Sequence, residues 1–278
     1  MGKPLILIDL DKTLIDENFK LTEPAALSQI QKMQKAGWTI GLNSDRPSPT
    51  LFSYRRQFRM NGPVVAEMGN AVFGADSSVL FENDNIARTI DELLQKFILK
   101  IRQQFSGVII VIGDTPAILA SFKHGFSASA EVFLIINGLR RFSFGFNTRR
   151  RSNVHFEIEP DLLKEASAIA IQLFREIFAK NPKTIVNYDE YGSCILHLPD
   201  AGKDHGVDIL RTHEQYAPIT IIGDSRADYT GDKSIVHCAV ANAEESYKTV
   251  CQFVAKKTYS AGVQECLEWI EQIVPIKK

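Results

Sequence analysis

A chain of 278 residues, 45% hydrophobic and 23% charged, has the composition of a globular protein: one large domain or two ordinary ones, with ample length to bury a core. Its formal net charge of -1 excludes a global attraction to nucleic acid or to an anionic membrane, so the expected partner is a small molecule held by a local patch. No apolar run approaches the roughly 20 residues of a membrane span, and the amino terminus enters an apolar run too soon to leave room for a signal sequence, so a cytoplasmic location is expected.

In chain order, Pro4 to Leu14 (PLILIDLDKTL) comes first. A continuous Leu/Ile run reads as a strand buried on both faces, of the kind found in parallel sheets, and it ends in Asp9 and Asp11. Such a pair suits two tasks at the mouth of a sheet: binding a divalent cation, or dividing nucleophilic and acid/base work. Thr22-Glu23-Pro24 predicts a helix start with a hydroxyl cap, Ala26, Ile30 and Met33 share one face, and Gly37 ends the helix. Trp38 to Asn43 predicts a second strand delivering Ser44, Asp45 and Arg46 to its carboxyl end; Pro47 to Met60 predicts a helix, and Pro63 to Glu67 and Ala71 to Phe73 short strands. Alternating strands and helices imply a doubly wound sheet.

From Phe81 the pattern changes. Ile86, Ile90, Leu93, Phe97 and Ile101 mark a long amphipathic helix, and Asp161 to Ala179 a second. Strands are expected at Val108 to Ile112, Ile118 to Phe122, Val132 to Asn137, Arg141 to Phe146, Val154 to Ile158, Thr184 to Tyr188 and Cys194 to Leu198. Helices grouped with antiparallel strands predict a separate α+β domain, residues 81–200, inserted into a core made of 1–80 and 201–278, with Gly74 to Phe81 and Pro199 to Gly202 as hinges. The core pattern resumes with a helix at Lys203 to Thr212, strands at Ile219 to Gly223, Ile235 to Val240 and Gln252 to Ala255, and a last helix carrying Val263, Leu267, Ile270 and Val274. The cysteines, Cys194, Cys238, Cys251 and Cys266, lack CxxC spacing, which indicates neither a zinc site nor a redox pair.

Polar groups thus arrive separately at strand ends: Asp9 and Asp11, then Ser44, then Asp224 with Asp228 in GDSRAD, while Lys203 opens the preceding helix. In a doubly wound sheet these ends converge on one crevice. Several carboxylates need a cation to be stable together, and an all-oxygen set favours magnesium. A serine and a lysine beside it suit the negative oxygens of a phosphoryl group. The residue types alone point to metal-assisted phosphoryl chemistry.

At these residues the chain resembles the haloacid dehalogenase (HAD) superfamily: DLDKTL is similar to its DxDxT signature, and Ser44, Lys203 and GDSRADYTGD match its second, third and fourth motifs in order. PVVAEMGNAVF, KDHGVDIL and AVANA resemble the branch of Cof-type and sucrose-phosphate-phosphatase-like enzymes, whose α+β cap lies where this chain has its insertion. The resemblance implies a Rossmann-like core with a cap that excludes water and selects the leaving group. It further implies a magnesium-dependent phosphatase of small phosphorylated metabolites, sugar or polyol phosphates foremost. Asp9 would form an aspartyl-phosphate and Asp11 would serve as acid and base. Asp9, the main-chain carbonyl of Asp11, Asp224 and Asp228 would hold the metal, and Ser44 and Lys203 the phosphoryl oxygens.

Departures from the family pattern are Lys12, where many relatives have glycine, and Ala227 and Tyr229 to Asp232 in the fourth motif, which leave Asp228 and Asp232 as competing ligands. Arg46 and Glu67 lie near motif loops, and Asn242 in AVANA near the phosphate, so all three are candidate substrate contacts. Arg149, Arg150 and Arg151 suit either a solvated hairpin tip or a grip on a second anionic group. A sugar phosphomutase and a non-catalytic binding protein on the same fold are the alternatives.

Overall fold

A computed structural model describes residues 2–122, 127–153, 155–188 and 191–273. The chain forms two compact units, Met1–Glu82 with Gly202–Lys278, and Asn83–Ala201. The first unit opens with β1 (Leu5–Ile8), α1 (Ala25–Lys35), β2 (Thr39–Asn43), α2 (Ser48–Gln57), β3 (Val64–Ala66), β4 (Ala71–Phe73) and β5 (Val79–Glu82). The second contains α3 (Asp84–Gln104), β6 (Val108–Gly113), α4 (Thr115–Phe122), β7 (Ser127–Asn137), β8 (Phe144–Asn153), β9 (His155–Ile158), α5 (Pro160–Phe178), β10 (Lys183–Asn187) and β11 (Ser193–His197). The chain then returns to the first unit with α6 (Lys203–Glu214), β12 (Ile219–Gly223), β13 (Val236–Ala239), α7 (Glu245–Lys248), β14 (Phe253–Val254) and α8 (Tyr259–Ile273).

Among the described residues the first unit holds an eight-stranded sheet in the order β14-β13-β12-β1-β2-β3-β4-β5. The strands from β14 to β3 run parallel. Every residue of β1 is fully buried between β12 and β2, the environment its unbroken Leu/Ile run requires. Leu5 and Leu7 pack with Val207 and Leu210 of α6, which places that helix against the sheet. The stretch expected as a hinge loop instead ends in β5, antiparallel to β4. A turn in which Gly74 donates its amide to the Ser78 carbonyl folds the apolar Val79-Leu80-Phe81 back onto the sheet.

The second unit has a sheet in the order β10-β11-β8-β7-β6, with β9 beside β8. Leu93, Phe97 and Ile101 of α3 and Leu163, Ala166 and Phe174 of α5 form one core with Leu134, Phe144, Phe146 and Cys194 from the strands. Three expectations, two in this unit and one in the first, need correction. Ile118 to Phe122 is the end of a helix, α4, because β6 and β7 are parallel and a parallel pair needs a crossover; a short apolar run carries too little periodicity to separate the two states. The strand expected at Arg141 starts at Phe144 and runs through Arg149, Arg150 and Arg151, which are therefore strand residues and not a hairpin tip. Thr22 does not cap α1: its hydroxyl lies 2.8 Å from Ser260 Oγ, which also receives the Thr22 and Glu23 amides. Val154 and Val274 lie outside the described residues.

Candidate active site

Because β1 lies between β12 and β2, the residues that follow these strands emerge at one edge of the sheet: Asp9, Asp224 and Ser44. The Asp9 amide extends the ladder by donating to the Ile222 carbonyl at 2.9 Å. The chain then turns at Lys12, whose φ of 58° lies in the left-handed region that glycine adopts without strain. Lys203, at the start of α6, is buried and donates from Nζ to Asp9 Oδ1 at 2.5 Å and to Asp228 Oδ1 at 2.6 Å. It reaches both because α6 lies close on the sheet: a Cβ at Gly206 would meet Val65 Cγ1 at 2.3 Å.

The altered fourth motif leaves Asp228 in the site. Ser225 and Asp228 form a reciprocal capping box around the turn Arg226–Asp228, and Asp228 Oδ2 accepts from the amides of Asp224 at 3.2 Å and Ser225 at 3.3 Å. Asp232 points elsewhere, accepting from Ser234 and Arg211; the Ser234 amide, with Arg211, holds its pKa at about 2. Thr13, the threonine of DLDKTL, lies with its hydroxyl 3.5 Å from Asp224 Oδ1.

Carboxylate oxygens of Asp9, Asp224 and Asp228 lie within 4.8 Å of one another. Burial, with the other two carboxylates, pushes the Asp9 pKa well above the ordinary range despite Lys203, and burial followed by Asp228 pushes Asp224 to about 7. Burial disfavours the Lys203 ammonium, but Asp228 and Asp9 outweigh it and raise its pKa. Three carboxylates facing one ammonium leave an excess of buried negative charge on hard oxygen donors, which fits a divalent cation of the magnesium type.

A pH dependence follows. With Asp224 at about 7 in the folded chain against an ordinary 3.8, the metal-free fold binds more protons than the unfolded chain between those values, so its stability falls as pH rises across that window. A cation competes with those protons and stabilises more as they leave. Saturating magnesium is expected to raise the thermal midpoint more at pH 8 than at pH 5; equal shifts at both would contradict a site built on these carboxylates.

Asp11 stands apart from this cluster. Its two oxygens accept from Arg46 Nε at 2.7 Å and Nη2 at 2.6 Å, a two-pronged pair that, with Asp11 offsetting burial, raises the Arg46 pKa. The guanidinium is packed by the rings of Phe19, 4.9 Å to its centroid, and Tyr54, at 5.5 Å; neither aromatic was foreseen. Ser44 is buried, its amide donating to the Val65 carbonyl at 3.0 Å and its hydroxyl accepting the Arg46 amide at 3.4 Å.

Other sequence candidates have mainly structural surroundings. Glu67 opens a run of left-handed residues, Glu67, Met68 and Gly69, and its amide donates to the Arg46 carbonyl at 3.2 Å. Gly69 is required there, since a Cβ would meet the Gly202 carbonyl oxygen at 2.4 Å. Asn242 braces the loop after β1: Nδ2 donates to the Lys12 carbonyl at 2.6 Å and Oδ1 accepts the Tyr259 amide at 3.0 Å. The arginines considered for a grip on a second anionic group have partners inside the second unit. Arg149 is buried and donates to the carbonyls of Thr148 and Tyr191, Arg150 pairs with Glu159, and Arg151 pairs with Glu131 at 2.5 Å.

Comparison with known proteins agrees with this architecture. The model of a family described as haloacid dehalogenase-like hydrolase matches residues 6–267. A phosphoglycolate phosphatase of Thermoplasma acidophilum is 23% identical over 278 residues, covering 96% of this chain and 98% of its own. Two solved structures share the fold. A haloacid dehalogenase-like hydrolase from Bacteroides thetaiotaomicron has a TM-score of 0.65 at 16% identity, over 96% of this chain and 99% of that one. An HAD subclass IIB sugar phosphatase has a TM-score of 0.60 at 12% identity, over 97% and 100%.

Proposed function

Because the chain belongs to the haloacid dehalogenase-like hydrolase family, we propose that it is a magnesium-dependent phosphatase of small phosphorylated metabolites, working through an aspartyl-phosphate. The observation that carries this is the cluster of Asp9, Asp224 and Asp228 at the carboxyl edge of the parallel sheet, with Asp9 and Asp228 buried and bonded to Lys203. Relatives named as phosphatases of phosphoglycolate and of sugars support small phosphomonoesters, sugar and polyol phosphates among them, as the substrate class.

Asp9 attacks phosphorus as the ester P–O bond breaks, giving the aspartyl-phosphate and the alcohol. Asp11 gives the departing oxygen its proton, and in the second step takes one from the water that attacks phosphorus and returns Asp9 to its carboxylate. Ser44 donates to the phosphoryl oxygens, and Lys203 places its charge beside Asp9, lowering the repulsion between nucleophile and phosphate. Asp9, Asp224 and Asp228, with the Asp11 carbonyl that the family resemblance adds, would hold magnesium. When bound, the ion neutralises carboxylate and phosphoryl charge.

The test is phosphate release from a panel of sugar phosphates, hydroxy-acid phosphates and an aryl phosphate, with magnesium or with chelator. Release that stops on chelation and returns with magnesium is expected. Chelator-resistant release, or none from any ester, would remove the proposal.

A further inference from the structure

The altered end of the fourth motif, Tyr229 to Asp232, has partners of its own, and two of its residues meet one side chain. His237 Nε2 accepts from the Thr230 amide at 3.3 Å and lies 3.4 Å from the Thr230 hydroxyl. Because an amide can only donate, Nε2 is the unprotonated nitrogen of the ring, and the hydroxyl donates to it as well. That hydroxyl in turn accepts the Asp232 amide at 3.3 Å. The Tyr229 ring packs on the imidazole, 4.9 Å between centroids, and the Arg226 guanidinium lies over the same tyrosine at 4.2 Å.

His237 is a fixed point of the fold. It is 1% exposed and belongs to β13, which pairs with β12 on one side and β14 on the other. Gln252 holds its backbone both ways: the His237 amide donates to Gln252 Oε1 at 2.6 Å, and the Gln252 amide donates to the His237 carbonyl at 2.9 Å. Burial pushes the His237 pKa below its ordinary value, against a hydrogen bond with the Ile235 backbone that raises it, so the ring is neutral at pH 8 and Nε2 can accept.

The turn held by this histidine is the one that carries Asp228. A turn of three residues has little stability of its own, and the capping box of Ser225 and Asp228 ties it only to itself. Ala227, another departure, adds no polar group. Directly after Asp228, however, Tyr229 and Thr230 fix the chain to β13, and Asp232 pairs with Arg211 of α6, the helix that opens with Lys203. A cation of the magnesium type demands near-ideal ligand geometry, so a small displacement of one carboxylate costs affinity. We propose, on the magnesium reading of the cluster, that His237 is a positioning residue of the metal site: by gripping Tyr229 and Thr230 it sets the turn that presents Asp228 alongside Asp9 and Asp224. The departures at Tyr229 and Thr230 are thereby the brace of the second acidic ligand.

Magnesium titrations by calorimetry at pH 8, with a thermal melt in chelator on each preparation, test this. His237→Phe, which keeps a ring for Tyr229 but has no acceptor for Thr230, is expected to weaken magnesium binding by about 10-fold or more, the usual scale for a group that holds a metal ligand in place. His237→Gln, whose Oε1 can take the Thr230 amide, should bind within about threefold of wild type. A role confined to stability would lower the melting points of both variants and leave both affinities alone. Equal affinity in wild type and a folded His237→Phe, or a Gln variant as weak as the Phe variant, overturns the inference, while magnesium binding by wild type leaves the metal reading standing. Should His237→Phe not fold, Thr230→Val carries the test: it removes only the hydroxyl donor and is expected to weaken binding by about threefold, the scale of one neutral hydrogen bond, and an unchanged affinity overturns the inference. Wild type that binds no magnesium overturns both.

Discussion

Asp9→Asn is expected to lower phosphate release by on the order of 10⁴-fold or more, the scale seen when a nucleophile that works as part of a unit is removed. The amide keeps an oxygen for Lys203 but cannot form the acyl phosphate. The same change should leave the metal-free protein at least as stable as wild type at pH 8. Asp9 is 4% exposed and its pKa is raised by burial and by Asp228 and Asp224, so its charge is a burden on the fold whenever it is ionised. Phosphate assays and a thermal melt on one preparation check both halves. A variant retaining more than about a hundredth of the activity would remove Asp9 from the role of nucleophile, because general acid/base help alone is worth about 10² to 10⁴.

Lys203→Met should give the largest loss of stability. Lys203 supplies the ammonium that touches both Asp9 and Asp228, and all three side chains are almost completely buried. Removing one partner of a buried ion pair typically costs about 3–5 kcal/mol, because the charge left behind has neither water nor counterion. The cost depends on pH in a defined direction. Without the ammonium the pKa values of Asp9 and Asp224, already raised, move higher, so the carboxylates are protonated and the loss shrinks as pH falls below about 7. Magnesium should return part of the stability at pH 8 but little at pH 5. Urea unfolding at the two pH values, with and without magnesium, reads all four states. A variant as stable as wild type at pH 8 in chelator would mean that the cluster is not held by this lysine.

Much of this candidate site is legible in the sequence, for a physical reason. A strand buried on both faces admits no carboxylate except at its end, so Asp9 after Leu5–Ile8 and Asp224 after Ile219–Gly223 announce both the sheet and the edge where ligands bind. Lys203 and Asp228 were legible only as members of the same series. The partner of Asp11 was not: Arg46 follows a different strand and lies 35 residues away, and nothing in their spacing says that one guanidinium takes both carboxylate oxygens. The partners of the arginine run in β8 were no more legible, because a block of like charge does not say which acceptors it meets: Arg149 the carbonyls of Thr148 and Tyr191, Arg150 Glu159 and Arg151 Glu131.

The sequence by itself determined the periodic elements, the parallel core sheet and the set of oxygen donors at its edge, since each follows from local pattern: unbroken apolar runs, helical spacing and polar residues where those runs stop. Only the tertiary structure decided which charges face one another. It put Asp228 in the cluster and turned Asp232 to Arg211, made a helix of Ile118 to Phe122 to join two parallel strands, and gave Arg46 to Asp11. Those outcomes depend on contacts between residues distant in the chain, whose energies no local pattern encodes.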